Sequence, residues 1–357
     1  MAYSGTVGTT VIQVQTLIDH GARRCGKLAE ELTSEQILSA KESLFFLLSN
    51  LINIGIQYWA IDKKIYGLKA NNYIYKLPVG GNDVLQALYR RMSRPTPNST
   101  GGYASSAGGI VGNAFDSNIE TSCTQTSSNG NISVDYGTEN PVYVGSVGIL
   151  PGVSGTFNAV FEYSADGITW STLYDPGQTV WVDDEWLWYE IQAGQEVQFY
   201  RLRETGGNTL SVRELFFGNN STEITMARLN RDDYTNLPNK NFTANQPFQY
   251  WLNRTIPQAE ITLWPVPSDP FVQMTVWYSN QVMDVGSLSG ELEIPQRWYL
   301  AVQSMLAHQM SLELPAVDIA RIQYLEGQAE KYLGLAEVEE RDKSPIYFAP
   351  NIAVYTR

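Results

Sequence analysis

Between residues 99 and 219 the chain has no lysine, three arginines and 14 acidic residues, and its apolar residues leave helical spacing for short alternating runs. A change of period and charge over about 120 residues is what a separately cored unit produces. The runs at 132–136, 142–150, 159–164, 186–191, 197–203 and 210–217 are β-branched and aromatic and are bounded by turn residues. Asp166-Gly167 between two of them is a hairpin signal, because glycine accepts the positive φ that primed turns require. The segment therefore predicts a β-sandwich or jelly roll. Its net charge is −11, against +4 for residues 1–98 and −6 for residues 220–357, so its surface repels nucleic acid.

The flanks have helical spacing. Thr33 and Gln36 form a capping-box pattern, predicting a helix from about residue 33 to 59. Ile37, Leu44, Phe45, Leu47, Leu48, Leu51, Ile52 and Ile56 spread over more than one of its faces, as in a central helix contacted on several sides. Asn82 and Asp83 open a second predicted helix with Val84, Leu88 and Met92 at four-residue spacing, ending before Pro95. Arg90, Arg91 and Arg94 fall near its end, where a solvated face is a simpler reading than phosphate contact. Residues 95–112 are rich in Pro, Ser, Thr and Gly and read as a linker. Beyond residue 219, an alternating strand is expected at 272–278. A helix follows after Pro295, with Trp298, Val302, Met305 and Gln309, and another near Pro315, with Ile319, Ile322, Leu325 and Leu333.

The expected fold class is α+β and multidomain. Residues 1–98 and 220–342 form a discontinuous helical-bundle domain with a short β region, residues 99–219 an inserted β-sandwich, and residues 343–357 an extended arm. The arm's apolar residues Tyr347, Phe348, Ile352 and Tyr355 make it a candidate contact with a neighbour. At 43% hydrophobic and 17% charged, the composition is that of a folded protein. No run of eighteen apolar residues spans a membrane, and residues 1–10 lack the basic start and apolar stretch of a signal peptide. Cys25 and Cys123 are too few and too far apart for a disulfide framework or zinc knuckle, and read as reduced packing residues.

Catalytic constellations are not apparent. His20 and His308 lie on helical segments without an identifiable partner, and there is no Walker loop, nucleophile elbow or zinc-ligand spacing. Asp183-Asp184-Glu185 is most simply a solvated charged turn. No catalytic residue is assigned and no cofactor is required.

Two resemblances add to this reading. Arg231-x-x-Tyr234-x-x-Leu237-Pro238-Asn239-Lys240, Pro247-x-x-Tyr250-Trp251 and Ile261-x-Leu263-Trp264-Pro265-x-Pro267 resemble the head-to-tail adaptor family of short-tailed bacteriophages, which includes the tail tubular protein A group. The resemblance covers about residues 10–98 and 220–340. It implies a virion protein at the portal–tail junction, in a self-associated ring, a dodecamer in the family, between portal protein and tail nozzle protein. Genomic DNA would pass through the lumen without sequence-specific binding. A ring needs two different complementary faces on each subunit.

The middle segment resembles the discoidin, or coagulation factor type C, jelly rolls through residues 114–121, 134–137 and 161–170, and through Tyr200-Arg201-Leu202 and Val212-Arg213-Glu214-Leu215. This implies a carbohydrate-binding-like module and a structural Ca2+ at Asp116, Asn118, Thr121 and Glu214, since oxygen ligands suit a hard cation. The residues equally allow a metal-free turn in which Asp116 and Asn118 bond to their own backbone. The segment departs from the family at Cys123, where tryptophan is common, and at Ser117, often glycine. Host-glycan or tail-fibre attachment through this module, anchored by the helices, is the alternative to the adaptor role.

Overall fold

The computed structural model describes residues 11–54, 58–93, 95–97, 102–269, 271–281 and 285–339. The arm, with Tyr347, Phe348, Ile352 and Tyr355, lies outside the described residues, as does Arg94. The chain forms two compact units, one of residues 1–61 and 279–357 and one of residues 62–278.

The first unit is helical, with α1 (Val14–Cys25), α2 (Ser34–Ile54), α4 (Tyr299–Glu313) and α5 (Ile319–Glu339). The capping box before α2 is formed: Gln36 N–H donates to Thr33 Oγ1 at 3.3 Å and Thr33 N–H to Gln36 Oε1 at 3.0 Å. The all-round buried helix is α4 and not, as expected, α2. Residues 301–307 of α4 are all buried, whereas α2 buries the single stripe Ala40, Leu44, Leu48 and Leu51 and leaves Leu38 and Phe46 exposed. The reason is packing: α4 touches α1, α2 and α5, and its small residues Ala301, Ser304 and Ala307 allow that crowding. Trp298 is fully buried beside them. Among the described residues no helix is long and apolar enough to cross a membrane.

The second unit is β-rich, and among the described residues 20 strands follow in chain order, β1 and β20 each running slightly past the unit's bounds. Its largest sheet runs β1 (Ile61–Gly67), β20 (Val272–Asn280), β3 (Gly81–Ser93), β14 (Ser211–Thr225), β7 (Val142–Pro151), β12 (Leu187–Val197), with β5 (Cys123–Thr124) also paired to β14. A five-stranded sheet runs β10 (Ser171–Tyr174), β9 (Ala159–Ser164), β13 (Phe199–Glu204), β6 (Asn131–Asp135), β4 (Tyr103–Ser105). A four-stranded sheet runs β15 (Ala227–Leu229), β17 (Gln249–Asn253), β18 (Glu260–Trp264), β2 (Ile74–Lys76). The pairs β8 (Gly155–Phe157) with β11 (Thr179–Trp181) and β16 (Thr243–Ala244) with β19 (Val266–Pro267) complete it, with one short helix, α3 (Arg231–Thr235).

The five-stranded sheet and the β12–β7–β14 part of the large sheet form a β-sandwich around Phe161, Tyr200, Phe217, Trp181 and Ile149. Asp166 and Gly167 lie between β9 and β10 as expected, but in a six-residue loop, 165–170, rather than a two-residue turn. Asp166 Oδ1 accepts the backbone N–H groups of Ile168 and Thr169 at 2.9 and 2.7 Å. Those bonds hold its carboxyl down at about 2.

A second core, with Leu77, Val84, Tyr89, Ile261, Met274 and Val276, lies between the four-stranded sheet and β3 and β20. The helix expected at 82–92 is thus the strand β3. Val84, Ala87, Leu88, Tyr89, Arg90 and Met92 are all buried, so both faces are covered and the apolar positions carry no reliable period. The expected boundary at 219/220 falls inside β14, whose residues 212–218 pair with β7 and 219–225 with β3.

The large sheet curls until its two ends meet. Trp186, just before β12, and Trp188, within it, lie against Gly67 of β1, where a Cβ would stand 2.2 Å from Trp186 Cβ and 2.7 Å from Trp188 Nε1. Gly67→Ala is expected to lower stability by about 1–3 kcal/mol through overpacking. An unchanged denaturation midpoint would show that β12 does not close on β1.

Candidate functional site

The motif residues between Arg231 and Pro267 lie on and around the four-stranded sheet. Asn230 caps α3, its side chain accepting Asp233 N–H at 2.7 Å, so the chain reverses and Tyr234 stacks on Trp251 of β17 with ring centroids 4.9 Å apart. Lys240 lies over the Tyr234 ring at 5.7 Å. Trp264 Nε1 donates to Asn239 O at 2.9 Å, pinning the loop that follows α3 onto β18, and Phe248 packs edge-on to Trp264 at 5.3 Å. Alternation sends Trp251 outward and Tyr250 inward, where Tyr250 is buried in the second core. Arg231 and Pro238 are exposed and Leu237 is half-buried. The motif therefore divides into core residues, Tyr250, Ile261 and Leu263, and an outward aromatic face of Tyr234, Trp251 and Trp264, with Phe248 beside it.

The discoidin-motif loop is a self-bonded turn. Asp116 accepts Asn118 N–H and Thr121 Oγ1–H, each at 2.8 Å, and Asn118 Oδ1 accepts Glu120 N–H at 3.1 Å. Ser117 takes the left-handed φ of 64° that glycine often supplies. Arg213 Nη1 donates to Ile119 O at 3.1 Å and ties the loop to β14, in which Glu214 is fully buried. The hydrogen bonds are those of the metal-free alternative. The donor set of Asp116, Asn118, Thr121 and Glu214 is nevertheless all oxygen with two carboxylates, which fits a hard cation. Among the described residues no cluster of three or more His, Cys, Asp or Glu could hold a metal.

Several of the basic and acidic residues singled out in the sequence have structural partners. Arg90 is buried between Glu190 and Glu223, so it does not face solvent or phosphate; Arg91 is exposed, 3.8 Å from Asp269. Asp183 bonds to Arg213 at 3.2 Å and Asp184 to Lys69 at 3.1 Å, so this turn is anchored rather than simply solvated. His20 lies 3.4 Å from Gln303. Both cysteines are buried and free, and burial, opposed by Arg321, pushes the Cys25 thiol up to about 11.

Two ion-pair clusters were not legible in the sequence. Glu190 accepts from Lys63 at 2.7 Å and from Arg90, and these bonds outweigh burial to hold its carboxyl below the ordinary range. On the outer face of the five-stranded sheet, Glu162 takes Arg201 at 2.5 Å and Arg203 at 2.7 Å, while the Arg201 guanidinium lies 4.0 Å from the Trp170 ring. Alternation in β13, with Arg201 and Arg203 outward and Tyr200 and Leu202 inward, was a signal for two arginines on one face; their shared carboxylate comes from another strand.

Burial would raise the Glu162 carboxyl, but the two arginines lower it below its ordinary 4.5. A depressed folded-state pKa contributes stability that is complete above about 4.5 and is lost as pH falls through the folded value. Glu162→Gln should therefore cost about 3 kcal/mol at neutral pH and flatten the acid limb of stability against pH below 4.5. Urea melts at several pH values measure both, and an unaltered acid limb would refute the assignment.

No protein-family model matches the chain, and no curated protein matches it. Solved structures similar to it include CBM32-1 from a family 31 glycoside hydrolase of Clostridium perfringens, at 15% identity, TM-score 0.30, covering 35% of this chain and 98% of that one. Another is the family 32 carbohydrate-binding module of C. perfringens NanJ in complex with galactose, at 16% identity, TM-score 0.27, covering 32% and 90%. A third is chitosan-binding module 1 from the chitosanase/glucanase of Paenibacillus sp. IK-5, at 18% identity, TM-score 0.30, covering 36% and 99%.

Proposed function

We propose that this chain is a non-enzymatic structural protein of a virus particle, a head-to-tail adaptor that assembles as a ring at the portal–tail junction. The helical unit supplies the ring contacts and the sandwich faces outward as an accessory module. The observation that carries this reading is the set of large apolar side chains exposed along three helices: Leu38 and Phe46 on α2, Leu312 on α4, and Tyr324, Leu335 and Val338 on α5. Exposed apolar surface spread over several helices of one small bundle favours self-association. The outward aromatic face at Tyr234, Trp251 and Trp264 is a second surface suited to a partner, portal or nozzle, since aromatic residues are enriched at interfaces.

Native mass spectrometry of the chain, alone and with a candidate portal protein, tests this. A closed ring on the portal is the expected result, and Phe46→Glu should weaken ring formation by at least about tenfold while leaving the melting midpoint in place. A chain that stays monomeric on its portal would overturn the reading.

A second reading, attachment to host glycan or to a tail fibre through the sandwich, is favoured by the discoidin-like motif and the sandwich that carries it. Binding of the full chain on a glycan array, without portal binding, would select it. In either case Asp116, Asn118, Thr121 and Glu214 would hold a structural Ca2+. The expected outcome is a higher melting midpoint in calcium than in chelator, removed by Asp116→Ala; equal midpoints would eliminate the ion.

A further inference from the structure

We infer that residues 347–355 dock along an apolar groove between α1 and α4 of their own chain. The groove lies at the N-terminal ends of these helices and encloses about 250 Å3, bounded by Ile12, Leu17, His20, Tyr299, Leu300 and Gln303. Nearly all of its lining surface is apolar, and in it Leu300 of α4 is 45% exposed. His20 and Gln303 are polar groups at its edge that can bond to the backbone of an extended segment.

The identity of the occupant follows from where α5 ends. A connection of five residues, 314–318, joins α4 to α5, so the two run antiparallel. The 15 residues of α4 rise about 22 Å and the 21 of α5 about 31 Å, which carries the end of α5 back past the start of α4. At the other end of the bundle, Gly26, just after α1, lies against Arg321 near the start of α5. The last described residue of α5, Glu339, is therefore at the same end as the groove.

From there 18 residues follow, 340–357. Residues 340–346 are mostly polar and can span at most about 25 Å, enough to reach the groove's edge. The next residues carry Tyr347, Phe348, Ile352, Val354 and Tyr355 with Pro345 and Pro350, a composition that favours extended chain with apolar side chains. A short tether gives the chain's own segment a millimolar effective concentration, above that of any free copy. Docking would cover groove and arm together, and a partner that takes the arm must first draw it out. This inference does not depend on the adaptor reading.

Thr16 also lines the groove, and Thr16→Cys combined with Phe348→Cys tests the proposal, because both native cysteines are buried. Under mild oxidation the double variant should form an intramolecular disulfide, seen as faster non-reducing migration at monomer mass and absent from either single variant. Disulfide-linked dimers would assign the groove to a second copy, and no crosslink would refute docking. Hydrogen exchange covers the case in which the cysteine variants fail to fold. In a chain ending at Glu339, amides at the starts of α1 and α4 should exchange roughly three- to tenfold faster than in the full chain, and equal rates would overturn the proposal.

Discussion

The β unit depends on one strand serving two partners. β14 is 15 residues long, and it pairs with β7 through its first half and with β3 through its second. The sandwich is thereby hydrogen-bonded into the same sheet as the strands on either side of it in sequence. An inserted module joined by linkers would be free to reorient, whereas one that shares a strand is not, because rotating it would break a ladder of backbone bonds. A bulge at Asn220/Glu223, just past the change of partner, adds local twist there.

That continuity lets the sheet curl, and the curl creates the ion-pair cluster. Lys63 on β1, Arg90 on β3, Glu223 on β14 and Glu190 on β12 meet although the sheet order separates β1 from β12 by four strands. A buried arginine adds little net stability, since desolvation offsets much of the attraction. Removing either carboxylate would nonetheless leave Arg90 buried with less compensation, so the cluster specifies the curled form against flatter ones. Gly67 serves the same closure sterically, since no larger residue leaves room for the two tryptophans.

What was legible in the sequence is what depends on neighbours a few residues apart. The Thr33–Gln36 capping box, the hairpin of α4 and α5 and the alternation in β13 are of this kind, and each is present. β3 was misread because its residues are buried on both faces, and four-residue spacing of Val84, Leu88 and Met92 then fits a strand as well as a helix. The central position of α4 was missed because its buried Gln303, Ser304 and Ser311 look polar in sequence, whereas the apolar wrap of α2 includes the exposed Leu38 and Phe46. Arg90 to Glu190 spans 100 residues and Arg203 to Glu162 spans 41, pairings set by sheet order and not by any local pattern. In the candidate sites, only the fold separates Tyr250, a core residue, from the outward Tyr234 and Trp264.

The paired charges also limit what the sandwich can bind. Its three arginines are all committed to carboxylates, Arg201 and Arg203 to Glu162 and Arg213 to Asp183. Some of its 14 acidic residues are answered from outside the segment, Glu190 by Lys63 and Arg90 and Asp184 by Lys69, yet most have no cation of their own segment to meet. With no lysine present, the surface carries a negative field that raises the cost of bringing up a phosphate or other anion and lowers it for a cationic group. A polyanion such as nucleic acid is therefore a poor ligand for this face. The same field sets the order of commitment for the aromatic side chains: Trp170 already stacks under Arg201, so a ligand seeking that ring must displace a guanidinium held by Glu162.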